Sequence, residues 1–351
     1  MLSNKIAGKV HQLRVVGKRY VRKESFLDEL HRELRSLRQD LPGLPELTHR
    51  PKLVFSHETG LVHDVKFQRS GRKVIISLDW EYARIIQPAL WEQLIAHYYW
   101  YARCGSDVGP VTINISDGDT ASTATLAQCS FRDDVTLLPD MHFFRNRGYL
   151  TAGKVFREAD NVWADRSDDI IWRGSAFGCG YTCFETNVAT HPTVLQRIRL
   201  AHLAKDSDVD FRFTEHLLTR QSHHVMYAGG FMAGRVPEYS WVNRKYAIDI
   251  DGYTNAWSNF YIRLKLGCCV LKVGSDFGFR QWYYHKLQPY VHYVPIKADL
   301  SDFFSQIDWV KTHQKEAAEI ATAGRQLADS MDFDSETAEA VRLITQHSRK
   351  N

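Results

Sequence analysis

RKYAIDIDGYTNAWSNF, residues 244–260, decides how the second half of the chain is read. Tyr246 to Ile250 forms an apolar strand that ends at Asp251 and Gly252, and a helix starts near Ser258. In an open parallel sheet, ligands sit outside the carboxyl ends of the strands, where the next helix directs unpaired N–H groups at an anion. A phosphate-bearing ligand fits such a corner. The plainer reading is a strand-turn-helix corner in which Gly252 supplies a positive φ and Asn255 or Ser258 caps the helix.

Working outward, strands and helices alternate on both sides. After Trp163 come DIIWRGS, a helix from about Pro192 to Lys205, VDFRF, the quoted segment, CCVLKV, YVPIK and helices to the end. That order reads as a doubly wound sheet. From Lys52 to about Phe144 the runs KLVF, VHDVKF, KVIISLDW, VTINIS and VTLLPDMHFF surround one helix near Pro88 to Ala102, a second α/β lobe. A linker is expected between Leu150 and Ser167. The expected division is a basic helical segment over 1–45, an acceptor domain over 46–160, a nucleotide-sugar domain over 161–330 and a C-terminal helix over 331–351.

With 351 residues, 44% hydrophobic and 25% charged, the chain is a folded protein long enough for two cores, and a disordered or fibrous chain is excluded. The net charge of +4 is too small for a nucleic-acid binder with a basic face throughout. That excess is N-terminal. Residues 1–23 hold Lys5, Lys9, Arg14, Lys18, Arg19, Arg22, Lys23 and no acid, with Ile6, Val10, Leu13 and Val16 at helical spacing. Such an arm suits an anionic membrane surface, or is an ordinary solvated helix. No run approaches the ~18 apolar residues of a membrane span or resembles a secretory signal, so a cytoplasmic location is expected. The six cysteines lack paired zinc spacing and read as reduced and packed.

A second corner is IIWRGSAFG, where Arg173 follows an apolar run and Gly174 permits close backbone approach. Arginine's planar fork suits a diphosphate, although an ion pair is the simpler role. In LQPYVHYVPIKADLSD, Asp299 and Asp302 read as caps. Asp-x-Asp pairs recur five times, so the motif says little; Asp249 and Asp251, alternate residues of one strand, are the pair that could meet a metal together. Cys179 and Cys183, and the His223-His224 pair, do not read as metal ligands.

IWRGS (171–175), KYAIDIDG (245–252), LGCCVLKV (266–273) and WYYHKLQPYVHYVPIKADLSD (282–302) together resemble glycosyltransferase family 90. The family comprises protein O-glucosyltransferases, capsule xylosyltransferases and bacterial lipopolysaccharide-modifying enzymes. The resemblance implies a GT-B architecture, two facing Rossmann-like domains, here with a helical C-terminal tail. It also implies inversion at the anomeric carbon and a UDP-sugar donor bound without an obligatory metal or other cofactor. Arg173, Gly174 and Ser175 match the donor motif, with Trp172 replacing its aromatic. Arg197 aligns with a second diphosphate-contacting arginine, and Asp251 and Gly252 match an Asp-Gly pair. Asn259 stands where a phosphate-binding arginine is usual, so Arg263 would substitute from the next turn. The catalytic aspartate expected in an Asn-x-Arg-Asp-Tyr-like stretch is absent from Arg145-Asn146-Arg147-Gly148-Tyr149. Asp140, in LLPDMHFF, is the substitute base.

The resulting expectation is an inverting transferase that moves glucose or xylose from a UDP-sugar to a glycan, the lipopolysaccharide core, at the inner membrane face. Residues 1–23 would touch the anionic lipid, and no nucleic acid takes part. Two alternatives stand beside it: a metal-dependent sugar transferase using Asp249 and Asp251, and an inactive nucleotide- or membrane-binding relative acting as a scaffold.

Overall fold

The computed structural model describes residues 32, 50–56, 61, 63–79, 89–185, 187–188, 190–215 and 220–349. The expected basic arm over 1–23 lies outside the described residues. Two interleaved units form the chain: the first takes residues 1–128, 133–141 and 337–351, the second residues 129–132 and 142–336. A contiguous break near 160 was expected from sequence; the chain instead passes to the second unit earlier and returns to the first at its end. Among the described residues no helix is long and apolar enough to cross a membrane.

The first unit is built on β1 (Arg50–Ser56), β2 (Asp64–Ser70), β3 (Lys73–Asp79), α1 (Ala89–Arg103), β4 (Val111–Asn114) and β5 (Leu126–Ala127). After β6 (Cys129–Ser130), which belongs to the second unit, β7 (Thr136–Leu137) completes a six-stranded sheet ordered β1-β3-β2-β4-β5-β7. β1 is parallel to β3, and β4, β5 and β7 are parallel to one another, but β2 runs antiparallel to both its neighbours. In a Rossmann-like lobe the central strands run parallel, and β2 is a central strand here. Only Gly71 and Arg72 separate β2 from β3, far short of the dozen or so residues a crossover needs, so the two strands form a hairpin. Val65 and Phe67 of β2 and Val74, Ile76 and Leu78 of β3 alternate into the core, where Phe67 meets Tyr101 of α1.

The second unit follows the doubly wound expectation more closely. Its elements begin with α2 (Met141–Arg145), whose residues from His142 onward belong here, and α3 (Leu150–Ala159). Then come β8 (Ile171–Ser175), α4 (Gln196–Ala204), β9 (Asp210–Glu215), α5 (Arg220–Ala228), β10 (Tyr246–Asp249), α6 (Ser258–Lys265) and β11 (Cys269–Val273). β12 (Arg280–Gln281), β13 (Val294–Ile296), α7 (Phe303–Thr312) and α8 (Gln314–Ser330) follow, and α9 (Phe333–Ser348) carries the chain back to the first unit. β8 pairs in parallel with β9, and β10-β11-β13 form a parallel ladder. The two ladders join at their starts: Ser167 N donates to Asn243 O at 2.9 Å and Lys245 N donates to Ser167 O at 2.9 Å. The row is therefore β9-β8-β10-β11-β13. In chain order this is 2-1-3-4-5, the doubly wound arrangement whose switch point lies between its first and third strands. Its core includes Trp172, Ile198, Phe211, Phe213, Ile248, Leu271 and Ile296.

His97 of α1 is fully buried among apolar side chains, its Nδ1 2.7 Å from the Gln93 carbonyl and its Nε2 without a hydrogen-bond partner. Burial pulls its pKa down to about 4, against a weaker opposing effect of that carbonyl. The unfolded chain takes up the proton near 6.5 and the folded one only near 4, so between these values unfolding gains a proton. Stability should be full above pH 6.5 and should fall as the pH drops towards 4. Thermal unfolding against pH should show this loss, and His97→Gln should flatten it; a variant profile parallel to the parent's would exclude His97 as the cause.

Candidate functional site

Past the bridge at Ser167, no backbone ladder joins β8 to β10 among the described residues. The gap at the switch point is closed by one side chain. Arg197, near the start of α4, donates from Nη1 to Ser175 O and from Nη2 to Ile250 O, each at 3.0 Å, with its guanidinium beside the Trp172 ring. It is 8% exposed and its Nε has no hydrogen-bond partner. Burial lowers its pKa to about 10 although Asp251 and Asp249 pull the other way, so it stays cationic at neutral pH.

A shallow pocket opens at this point, lined by Gly178, Leu195, Gln196, Asp251, Gly252 and Ser275, among others, with about 260 Å³ of space when the open solvent over it is included. Its enclosed part is small, about 10 Å³, roughly the room of one water, so a larger ligand would lie in the open space above it. α4 starts on its wall, and the residue before it, Leu195, offers no side-chain cap, so the helix presents its positive end to the pocket. Two glycines let the backbones close in: a Cβ on Gly252 would stand 3.2 Å from Arg197 Nη2, and one on Gly178 would stand 3.0 Å from Gly252 O.

Beneath the Gly252 turn lies a buried charge cluster. Lys272 of β11 places its Nζ 2.8 Å from Asp249 Oδ2 and 2.7 Å from Asp251 Oδ1. Burial alone would depress the Lys272 pKa; the two carboxylates outweigh it and hold the ammonium above its ordinary value. Asp251 is pushed upward by burial and by Asp249, against the pull of Lys272 and Ser275. Tyr284, whose buried hydroxyl lacks a hydrogen-bond partner, is held well above the usual phenol value by burial and by the same two carboxylates. The Asp249-Asp251 pair considered for a metal thus already encloses a cation, the Lys272 ammonium.

The other site residues singled out from sequence do not line the pocket and are engaged by other partners. Arg173 turns back along its strand: Nη1 donates to Trp172 O and Asp210 O at 2.8 Å, and Nη2 is paired with Asp210. Gly174 is required by Trp172, whose indole stacks on Phe211 and would lie 2.5 Å from an added Cβ. Asn259 is bound to Asp249 Oδ1 at 2.6 Å. Arg263 donates to Glu238 O at 2.8 Å and covers the Trp241 ring at 3.9 Å, and burial lowers its pKa to about 10. Asp140, 2% exposed, belongs to the first unit and immediately precedes α2. The structure brings together Ser175, Arg197, Asp251 and Gly252, and adds Gly178, Gln196 and Lys272. Of these additions Lys272 had a legible signal, because a lysine inside the apolar strand CVLKV has to find a buried counter-charge.

Gly148, where the resemblance leads one to expect a carboxylate, is the centre of three successive left-handed residues: Arg147 at φ 52°, Gly148 at 64° and Tyr149 at 57°. An added Cβ would meet the Phe333 backbone nitrogen at 2.9 Å and the Phe143 ring at 3.4 Å. No side chain fits there without moving the start of α9.

Residues 185–349 match the family model described as Glycosyl transferase family 90, just under half of the chain. The matched stretch contains Arg197, Asp251, Gly252 and Lys272 and leaves Asp140 and Arg173 outside it. Uncharacterized protein 179R of Invertebrate iridescent virus 6 is 28% identical over 178 residues, covering 45% of this chain and 15% of that protein. Protein O-glucosyltransferase 2 of Danio rerio is 37% identical over 169 residues, covering 48% of this chain and 29% of that protein. The chain spans less than a third of the length of these curated relatives. A solved glycosyltransferase of Rickettsia africae ESF-5 aligns over 57% of this chain and 55% of its own at 9% identity and a TM-score of 0.34, too distant to bear on the fold.

Gly148→Asp, the substitution that would write the missing carboxylate into RNRGY, should destabilise the protein without creating a base. Its Tm should fall by several degrees, the effect of a loss of about 2 kcal/mol or more. An unchanged Tm would show that this turn can open.

Proposed function

We propose that the chain is an inverting glycosyltransferase that takes a UDP-sugar in the pocket at the switch point of its second unit. The observation that supports this most is Arg197 joining the split strands beside the uncapped start of α4. A cation and a helix N-terminus converge there on a glycine-lined turn, within the stretch that matches the family. Their chemical use is to stabilise the leaving diphosphate. As the acceptor hydroxyl attacks the anomeric carbon, a carboxylate takes its proton, the bond from that carbon to the diphosphate oxygen breaks, and UDP departs with the electron pair. Asp140 is the proposed base.

The named relatives are protein O-glucosyltransferases, which favours glucose as the transferred sugar, with xylose second. A glycan acceptor such as lipopolysaccharide core rests on likeness to the family's bacterial lipopolysaccharide branch and on the basic arm, and gains nothing from these relatives. A metal-dependent reaction through Asp249 and Asp251 would have to displace Lys272 from between them, which disfavours that reading. UDP release from UDP-glucose and UDP-xylose, with peptide and core-oligosaccharide acceptors and with or without chelator, tests the whole proposal. No turnover with any combination, despite UDP binding, would favour the scaffold alternative.

Three substitution results are expected. Arg197→Lys, which keeps the charge but cannot bridge both carbonyls, should weaken UDP binding at least tenfold by calorimetry. Arg173→Ala should leave UDP affinity within about twofold of the parent while lowering Tm, since its partner is Asp210. Equal losses in both would return Arg173 to the site. For the base, Asp140→Asn should lower kcat by about 10²–10⁴ with the donor KM unchanged; an unaltered kcat would remove Asp140 from that role.

A further inference from the structure

We propose that Lys272 is a positioning residue of the donor site, whose ammonium cancels one of the two carboxylates under the Gly252 turn so that a nucleoside diphosphate meets a neutral floor. The inference rests on the reading that this pocket takes a UDP-sugar. Lys272 does not line the pocket; it acts through Asp251, which does. Its surroundings fix it there. Asp249 is 0% exposed and Asp251 is 7% exposed, and the ammonium lies 5.9 Å and 5.5 Å from the ring centres of Phe260 and Tyr284. Asn259 holds Asp249 from the other side.

The balance is two against two. Asp249 and Asp251 face Lys272, and both carboxylates also act on the Arg197 guanidinium. Without Lys272 the cluster would carry one excess negative charge beside the place where a diphosphate must sit. At separations of about 8 Å and an effective dielectric constant of about 20–30, one such charge changes the affinity of an anionic ligand about tenfold or more. A neutral ligand would not register it.

The test is calorimetric binding of uridine, UMP and UDP to the full chain and to Lys272→Met, Asp249→Asn and the double variant. Lys272→Met should weaken UDP about tenfold and UMP less, and leave uridine within about twofold. Asp249→Asn should tighten UDP several-fold. The double variant restores the charge balance and should return UDP affinity to within about threefold of the parent. A gain of affinity in Asp249→Asn cannot come from damage to the fold, so this variant decides the matter even if Lys272→Met fails to fold. Weaker or unchanged UDP binding in Asp249→Asn, or equal losses of uridine and UDP in a folded Lys272→Met, would overturn the role of Lys272. Failure of the parent chain to bind UDP at all would instead overturn the donor-site reading, and this inference with it.

Discussion

The second unit depends on a guanidinium that substitutes for a stretch of sheet. β8 and β10 begin hydrogen-bonded and then have no ladder between them, so the carbonyls of Ser175 and Ile250 need other donors, and Arg197 supplies both. Other arginines near the sheet are arranged differently. Arg173 is paired with Asp210 and Arg199 with Asp276, so their charges are cancelled at contact distance. Arg197 uses its N–H groups on neutral oxygens, and its charge is balanced within the buried cluster by Asp251 and Asp249 instead of by a carboxylate at contact distance. The structural bond and the proposed role toward a diphosphate fall to the same side chain.

That arrangement needs a counterweight, because a buried cation and two buried carboxylates are each costly alone. Lys272 completes the set. It lies one strand further along the sheet, in register with Asp249, so the pairing follows from the parallel ladder without a special loop. The polar set is held in place by apolar surroundings. The strand flanks of Lys272 are Leu271 and Val273, both fully buried, and aromatic rings close the space around its ammonium.

How much of this could be read beforehand varies with the physical scale involved. Alternating strands and helices after Trp163 foretold the parallel sheet, and the Asp251-Gly252 corner lies at its carboxyl edge as a strand-glycine-helix pattern requires. In the first unit the same reasoning overreached, because it did not weigh the two-residue connection at Gly71 and Arg72 that makes β2 antiparallel. Side-chain direction was the least legible. Arg173, Asn259 and Arg263 have the right chemistry for phosphate, and the sequence does not disclose that Asp210, Asp249 and the Glu238 carbonyl reach them first. A motif identifies which residues are near a corner; competition among neighbours determines which remain free to meet a ligand.

The same competition bears on the missing carboxylate. Three left-handed residues in succession are costly for Arg147 and Tyr149, and the turn is retained because its neighbours close around it. Phe143 packs on Trp282 at 4.8 Å and on Phe333, and the Arg147 guanidinium lies over Phe333 at 5.4 Å. The backbone of Phe333 occupies the volume that a side chain at 148 would need. A glycine at 148 and the close seating of the start of α9 are therefore one structural feature seen from two sides. An acid placed at 148 would find no room to act as a base, because the Phe333 backbone fills that space. In the proposed reaction the base has to come from a different backbone position, while the Gly252 turn, held by Arg197 and Lys272, does not depend on residue 148.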